Sequence, residues 1–191
     1  MVICDRLAMS LIASVAFVAC ASVADSTWRA DSATSSLLHV PSQIRFPVQA
    51  GEFSITGWHT RGATHSAAVV TYRVQGEDPT VQISLRQWDR PGPISRWVAT
   101  EGPRRAVSNR NPRPRISDVR LSVAIRGQEV DSEGIIIAGN EENPSQLWIA
   151  FPQDEHVALA VMAYPATSLS DEEAIERMGA LLNEVPWLAP E

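Results

Sequence analysis

Lysine is absent from this 191-residue chain, and all sixteen of its basic residues are arginine. That bias points to a GC-rich coding sequence more than to any function. Cysteine is scarce as well. Both copies, Cys4 and Cys20, fall within the first two dozen residues, so the remainder carries no disulfide scaffold and no thiol nucleophile. The sequence has no G-x-S-x-G elbow for a serine nucleophile, no P-loop and no Gly-x-Gly-x-x-Gly turn. No repeat of any period is visible. These absences exclude the chemistries that announce themselves by local motif. Disorder is excluded from the other side, because 45% of the chain is apolar and the apolar residues are periodically placed.

What is present begins with an address. Residues 7–24, LAMSLIASVAFVACASVA, form an uncharged apolar run of signal-peptide length. Ser22-Val23-Ala24 supplies small residues for cleavage before Asp25, and Ala19-Cys20-Ala21 offers a second site. Two other readings share the segment. Phe17-Val18-Ala19-Cys20 resembles a lipobox, which would make Cys20 the lipidated start of a lipoprotein. Alternatively the run stays uncleaved as an anchor, although eighteen Ala- and Ser-rich residues barely span a bilayer. All three place the rest of the chain outside the cytoplasm, periplasmic or secreted. The remaining stretch, about 167 residues, suffices for one domain with its own core.

Residues 25–43, DSTWRADSATSSLLHVPSQ, are polar and Ser/Thr-rich. They read as a linker or loosely packed arm, with Leu37 and Leu38 as its docking points. From Ile44 onward strands dominate. SAAVVTYRV (66–74) and TVQISLRQW (80–88) flank the turn formers GEDP. In the second of these, Val81, Ile83 and Leu85 alternate with Gln82, Ser84 and Arg86, one face dry and one wet. DVRLSVAIR (118–126) repeats the alternation, whereas a helical period would scatter its four apolar residues around the circumference. GIIIAG (134–139), LWIAF (147–151) and HVALAVMAY (156–164) are more continuously apolar, as befits central strands. PQDE makes the last two a hairpin. The final element is a helix. Ser170 and Glu173 form a capping box, acids crowd its first turn, and Pro186 ends a stripe running from Ala174 to Val185. The fold class expected is α+β: a curved antiparallel β-sheet with the C-terminal helix packed on one face, residues 44–191 forming one domain.

Charge is segregated along the chain. Residues 96–126 hold eight arginines against Glu101 and Asp118, whereas residues 127–191 hold thirteen acids against Arg177. The core of the basic segment, GPRRAVSNRNPRPR, reads as an Arg/Pro-rich loop within 96–117. Arg104, Arg105, Arg110, Arg113 and Arg115 are its candidate anion-binding residues, because a guanidinium fork grips phosphate and carboxylate bidentately. The competing reading is a solvated loop whose charges pair with the acidic half. An anionic lipid, polymer or protein surface would be the partner. Nucleic acid is not expected of an acidic exported chain. Trp58, Trp88 and Trp148 lie in or at the end of strands. They either pack in the core or line a cavity for an apolar ligand.

No metal site is expected. His59 and His65 stand six residues apart without Cys, Asp or Glu beside them, and His39 and His156 have no partner in sequence. Glu141-Glu142 and Asp154-Glu155 are paired acids in turn-like sequence, and they read as solvated turns. No catalytic residue and no cofactor is implied.

IRGQEV (125–130), LWIAF (147–151), HVALAVMAY (156–164) and LSDEEAIERMGALL (169–182) follow one another in a characteristic order. A strand ends in a Gly turn, a Trp-bearing strand pairs with an apolar one, and a Ser-capped acidic helix closes the unit. This order resembles the C-terminal extracytoplasmic domain of anti-sigma-factor-like bacterial envelope proteins, an uncharacterised domain family similar in fold to lipoprotein-carrier proteins. The resemblance spans roughly residues 44–183 and implies a fold and a place in the envelope. It brings neither sigma-factor binding nor catalytic residues. The function expected is therefore a non-enzymatic exported binding or sensory module of the cell envelope. Two other classes stand beside it: a small exported hydrolase without a recognisable motif, and a structural envelope protein.

Overall fold

The computed structural model describes residues 27–61, 67–75, 77–87, 95–108, 113–125, 127–140, 142–153 and 155–187. The leader, Trp88, Arg110, His65, Glu141 and Asp154 lie outside the described residues. Among the described residues no helix is long and apolar enough to cross a membrane.

Two antiparallel sheets are present. The smaller has strands β1 (Trp28–Asp31), β2 (Ser36–His39) and β3 (Ile44–Pro47), in that order. The larger is an open eight-stranded sheet. Its first half is β4 (Gln49–Ala50), β5 (Phe53–Arg61), β6 (Ala67–Val74) and β7 (Glu77–Gln87). Its second half is β8 (Ile116–Ile125), β9 (Gln128–Ile137), β10 (Ser145–Gln153) and β11 (His156–Tyr164). The strand order β4-β5-β6-β7-β11-β10-β9-β8 means that the chain leaves β7, crosses to the far edge and meanders back until β11 zips onto β7. Hairpin chemistry sets this register. Gln153 faces His156 across the β10–β11 turn, as PQDE foretells. Gly127 takes the positive φ of +71° that the turn between β8 and β9 requires.

Register assigns every side chain to one of two faces. Val81, Ile83 and Leu85 of β7 lie across from Met162, Ala160 and Ala158 of β11, which in turn face Leu147, Ile149 and Phe151 of β10. All of these are buried, and together they make the front face. A short helix, α1 (Gly102–Val107), lies in the connection between β7 and β8. The closing helix α2 (Asp171–Glu184) covers the front through Ala174, Met178, Leu181 and Leu182. Its start is fixed as expected: Ser170 Oγ accepts from the Glu173 amide at 3.2 Å, and the Glu173 carboxylate accepts from the Ser170 amide at 2.9 Å. Tyr164 at the end of β11 donates its hydroxyl to Asp171 at 2.7 Å, tying strand to helix. The α+β architecture of a sheet with a helix on one face is thus present.

The segment 25–43 is not a linker. Its described part supplies β1 and β2, and Leu37, Leu38 and His39 are buried. In the β2–β3 register, Leu37 lies opposite Phe46 and His39 opposite Ile44, so these four share one face of the small sheet. A chain of aromatic rings then carries that face into the main core. Trp28 lies 6.1 Å from Phe46, Phe46 6.5 Å from Trp187, and Trp187 4.8 Å from Phe151 of β10. Trp187, buried three residues beyond α2, donates its indole N–H to the Leu182 carbonyl at 2.7 Å and accepts from Gln153 through its own carbonyl. One side chain therefore satisfies an orphan carbonyl at the helix end and joins both sheets. The segment looked like an arm because its strands are only four residues long and the Ser/Thr-rich stretches around them read as loop.

Candidate functional site

The Arg/Pro-rich segment is also not a loop throughout. From Ser95 to Val107 it runs helically: α at Ser95–Arg96, a π turn over Trp97–Glu101, and α again in α1 (Gly102–Val107). The sequence explains the widening. Pro103 has no amide hydrogen, and its ring would clash with the carbonyl of Ala99 four residues back in an unbroken α-helix. The turn opens instead, and the Gly102 amide donates to Trp97, five residues back. The buried residues of this stretch are Ser95, Ala99, Pro103 and Val107. They recur every four positions, and this was the helical signal that the charge and proline content obscured.

That stripe lies on the back face of the main sheet, opposite α2. Ala99 packs with Ala150 and Val157, and Val107 with Ile135 and Ile137. The back face consists of the residues between the front-facing ones, so on β8 and β9 it presents Asp118, Arg120 and Glu133. Between these strands and the π turn lies an open cleft of about 800 Å³. Its lining brings together Arg96, Trp97, Arg104, Asp118, Arg120 and Glu133, with Thr100 and Glu101 at the turn itself. Arg96 Nε lies 2.9 Å from the Glu133 carboxylate, and Arg104 is hydrogen-bonded to Asp118. Trp97 is 47% exposed, with the edge of its ring beside Gly102. Among the described residues, three arginines and three carboxylates therefore meet in one cleft, next to an aromatic ring open to solvent.

The floor depends on Gly134. A Cβ there would come within 2.1 Å of the Trp148 carbonyl oxygen and 2.5 Å of Ile149 Cδ1, so only glycine lets β9 lie this close to β10.

Of the five arginines singled out in the sequence, the four described ones do not form one cluster. Arg104 belongs to the cleft and is paired, and Arg105 is exposed on α1. Arg113 and Arg115 are exposed beside a second hollow of about 560 Å³, formed with Asn140, Asn143 and Pro144 of the β9–β10 turn. The tryptophans likewise scatter. Trp58 stands 43% exposed on β5 across from Val70, whereas Trp148 is half-buried on the opposite face, packed near Val107 and Ile135. The two described tryptophans of that set share no cavity. Sequence reading passed over Arg96, Trp97, Asp118 and Glu133, which come from three separated stretches of chain.

The perturbed titratable groups lie elsewhere. Burial pushes the Tyr72 hydroxyl up, and burial with Asp171 beside it does the same to Tyr164, so both hydroxyls remain protonated donors. Hydrogen bonds from Ser170 hold the Glu173 carboxyl below its usual range. His39 is buried, with Nδ1 2.8 Å from Ser42 Oγ and its ring 4.8 Å from that of Trp28, a packing role.

No family model matches the chain, and no curated protein matches it in sequence.

Proposed function

We propose that this protein is a non-enzymatic binding module that works outside the cytoplasm, with the cleft beneath the π turn as its contact site. The observation that carries the reading is the composition of that cleft. Its carboxylates Asp118 and Glu133 are each engaged by an arginine, and an exposed indole stands beside them. Such a set offers fixed donors, fixed acceptors and an apolar platform, which are the means of recognition rather than of proton transfer. A volume of about 800 Å³ falls within the range that small-ligand sites occupy. A π turn interrupting a helix is frequent where a fold carries function. The export reading rests on the leader-like residues 7–24. The likeness in element order to extracytoplasmic envelope domains agrees with it.

Two measurements test the proposal. Expression of the full chain should yield a product recovered outside the cytoplasm, starting at Asp25 or at a lipidated Cys20. Chemical-shift mapping with envelope-derived small molecules should move the Trp97 indole resonance, and Trp97→Ala should abolish binding. A full-length product retained in the cytoplasm would overturn the export claim, and ligands indifferent to both Trp97→Ala and Arg104→Glu would overturn the site.

A second reading follows from the exposure of Arg105, Arg113 and Arg115, which leaves three guanidinium groups able to meet an anionic surface. Their reversal to Glu should abolish salt-sensitive binding to anionic liposomes. Absence of wild-type binding at low salt would sink this second reading.

A further inference from the structure

We propose that the ligand of the cleft is a neutral saccharide chain, seated on Trp97 and hydrogen-bonded by the Arg–carboxylate pairs. The inference rests on the binding-site reading above and goes further by naming the class. Three features of the cleft select it.

The first is charge. Among the described residues of the cleft, Arg96, Arg104 and Arg120 are matched by Glu101, Asp118 and Glu133, so these groups offer no excess of either sign to draw a phosphate or a polyanion. A site for a charged ligand concentrates one sign, whereas this one cancels it at short range.

The second is the pairing itself. Sugar hydroxyls both donate and accept, and neighbouring hydroxyls on a pyranose ring do so side by side. Arg104 hydrogen-bonded to Asp118, and Arg96 2.9 Å from Glu133, each present a donor fork next to acceptor oxygens. Each pair can therefore bridge two adjacent hydroxyls, with the guanidinium donating to one and the carboxylate accepting from the other. The pairs come from facing elements, Arg96 and Arg104 from the helical segment and Asp118 and Glu133 from β8 and β9. A ligand lying against the pairs meets donors from one wall and acceptors from the other.

The third is Trp97. A pyranose ring carries axial C–H groups that make one of its faces apolar, and an indole is a flat partner of matching size. A tryptophan 47% exposed beside six charged groups gains nothing from water and stands ready for such a face. The cleft is open to solvent rather than enclosed, so a chain need not enter it by a free end.

Titration calorimetry on the full mature chain with tetrasaccharides of N-acetylglucosamine and of glucose tests the class, with inorganic tripolyphosphate and a short acidic peptide as comparison ligands. Binding of at least one tetrasaccharide is expected. Trp97→Ala should weaken it about tenfold or more, a loss in keeping with removal of a stacked ring contact. Asp118→Asn should weaken it comparably, while Trp58→Ala, off the cleft, should leave it unchanged. Matching thermal melts separate loss of binding from loss of fold. Failure of both tetrasaccharides at millimolar concentration overturns the saccharide proposal. If tripolyphosphate or the peptide binds instead and depends on Trp97, the site stands and its ligand class is wrong. If tetrasaccharide binding is indifferent to Trp97→Ala and Asp118→Asn, both the class and the cleft are refuted.

Discussion

Trp187 offers the sharpest test of how this molecule is held together. Its side chain is fully buried, stands edge-on to Phe151 and Phe46, and caps the Leu182 carbonyl at 2.7 Å. Truncation to alanine removes that packing, leaves a cavity and orphans the carbonyl. Changes of this kind cost about 3–5 kcal/mol, roughly a fifth or more of the total stability of an ordinary domain. Trp187→Phe keeps most of the apolar bulk and loses the indole donor, so it should cost less, about 1–3 kcal/mol for an unsatisfied buried carbonyl. Urea unfolding followed by far-UV circular dichroism reads both, since the signal does not depend on the indole removed. The double variant Phe46→Ala, Trp187→Ala carries the argument further. If the small sheet is joined to the core through these rings, the two single costs should fail to add, by about 0.5–1.5 kcal/mol. A Trp187→Ala protein within about 0.5 kcal/mol of wild type, the range of an ordinary surface change, would refute the account of how the two sheets are joined.

Leu37→Ala should cost about 2–5 kcal/mol by urea unfolding, as for a core leucine, whereas a position in a loose arm would show almost none. Gly134→Ala must force β9 and β10 apart; a loss of about 3 kcal/mol is expected, together with shifted resonances for Trp97 and Glu133 at the cleft, and unchanged spectra would contradict the close approach. Ser170→Ala should cost about 1 kcal/mol at neutral pH through the lost helix cap. The Glu173 carboxyl is held below its ordinary value of 4.5, so its contribution is complete above that pH and fades as the pH falls through the lower folded value. Glu173→Gln should accordingly flatten the acid limb of stability against pH below about 4.5, and an unaltered limb would show that the capping box contributes nothing there.

How much of this was legible in the chain differs by element. Alternation on β7 and β8 displayed the wet and dry faces directly, since a strand with one covered side must alternate. The capping box at Ser170 and Glu173 marked the start of α2, and Pro186 its end, because helix termini are satisfied by local chemistry. The helix at 95–107 was hidden for the opposite reason. Its apolar stripe is three small or medium residues, Ala99, Pro103 and Val107, and the glycine and proline that read as breakers are accommodated by a π turn. Strand β2 was hidden because its buried face reaches the main core through Trp187 and Phe151, which are remote in sequence.

The sequence alone therefore determined the class of the fold, the faces of its long strands and the limits of its closing helix, all consequences of short-range periodicity and capping. The side on which the basic segment lies was decided only in three dimensions. So was the meeting of Arg96, Trp97, Arg104, Asp118 and Glu133 in one cleft. Those positions come together because β8 and β9 pair at the far edge of the sheet while the preceding helical turn folds back over them. Register between distant strands is a property of the packed sheet, and no local window of the chain contains it.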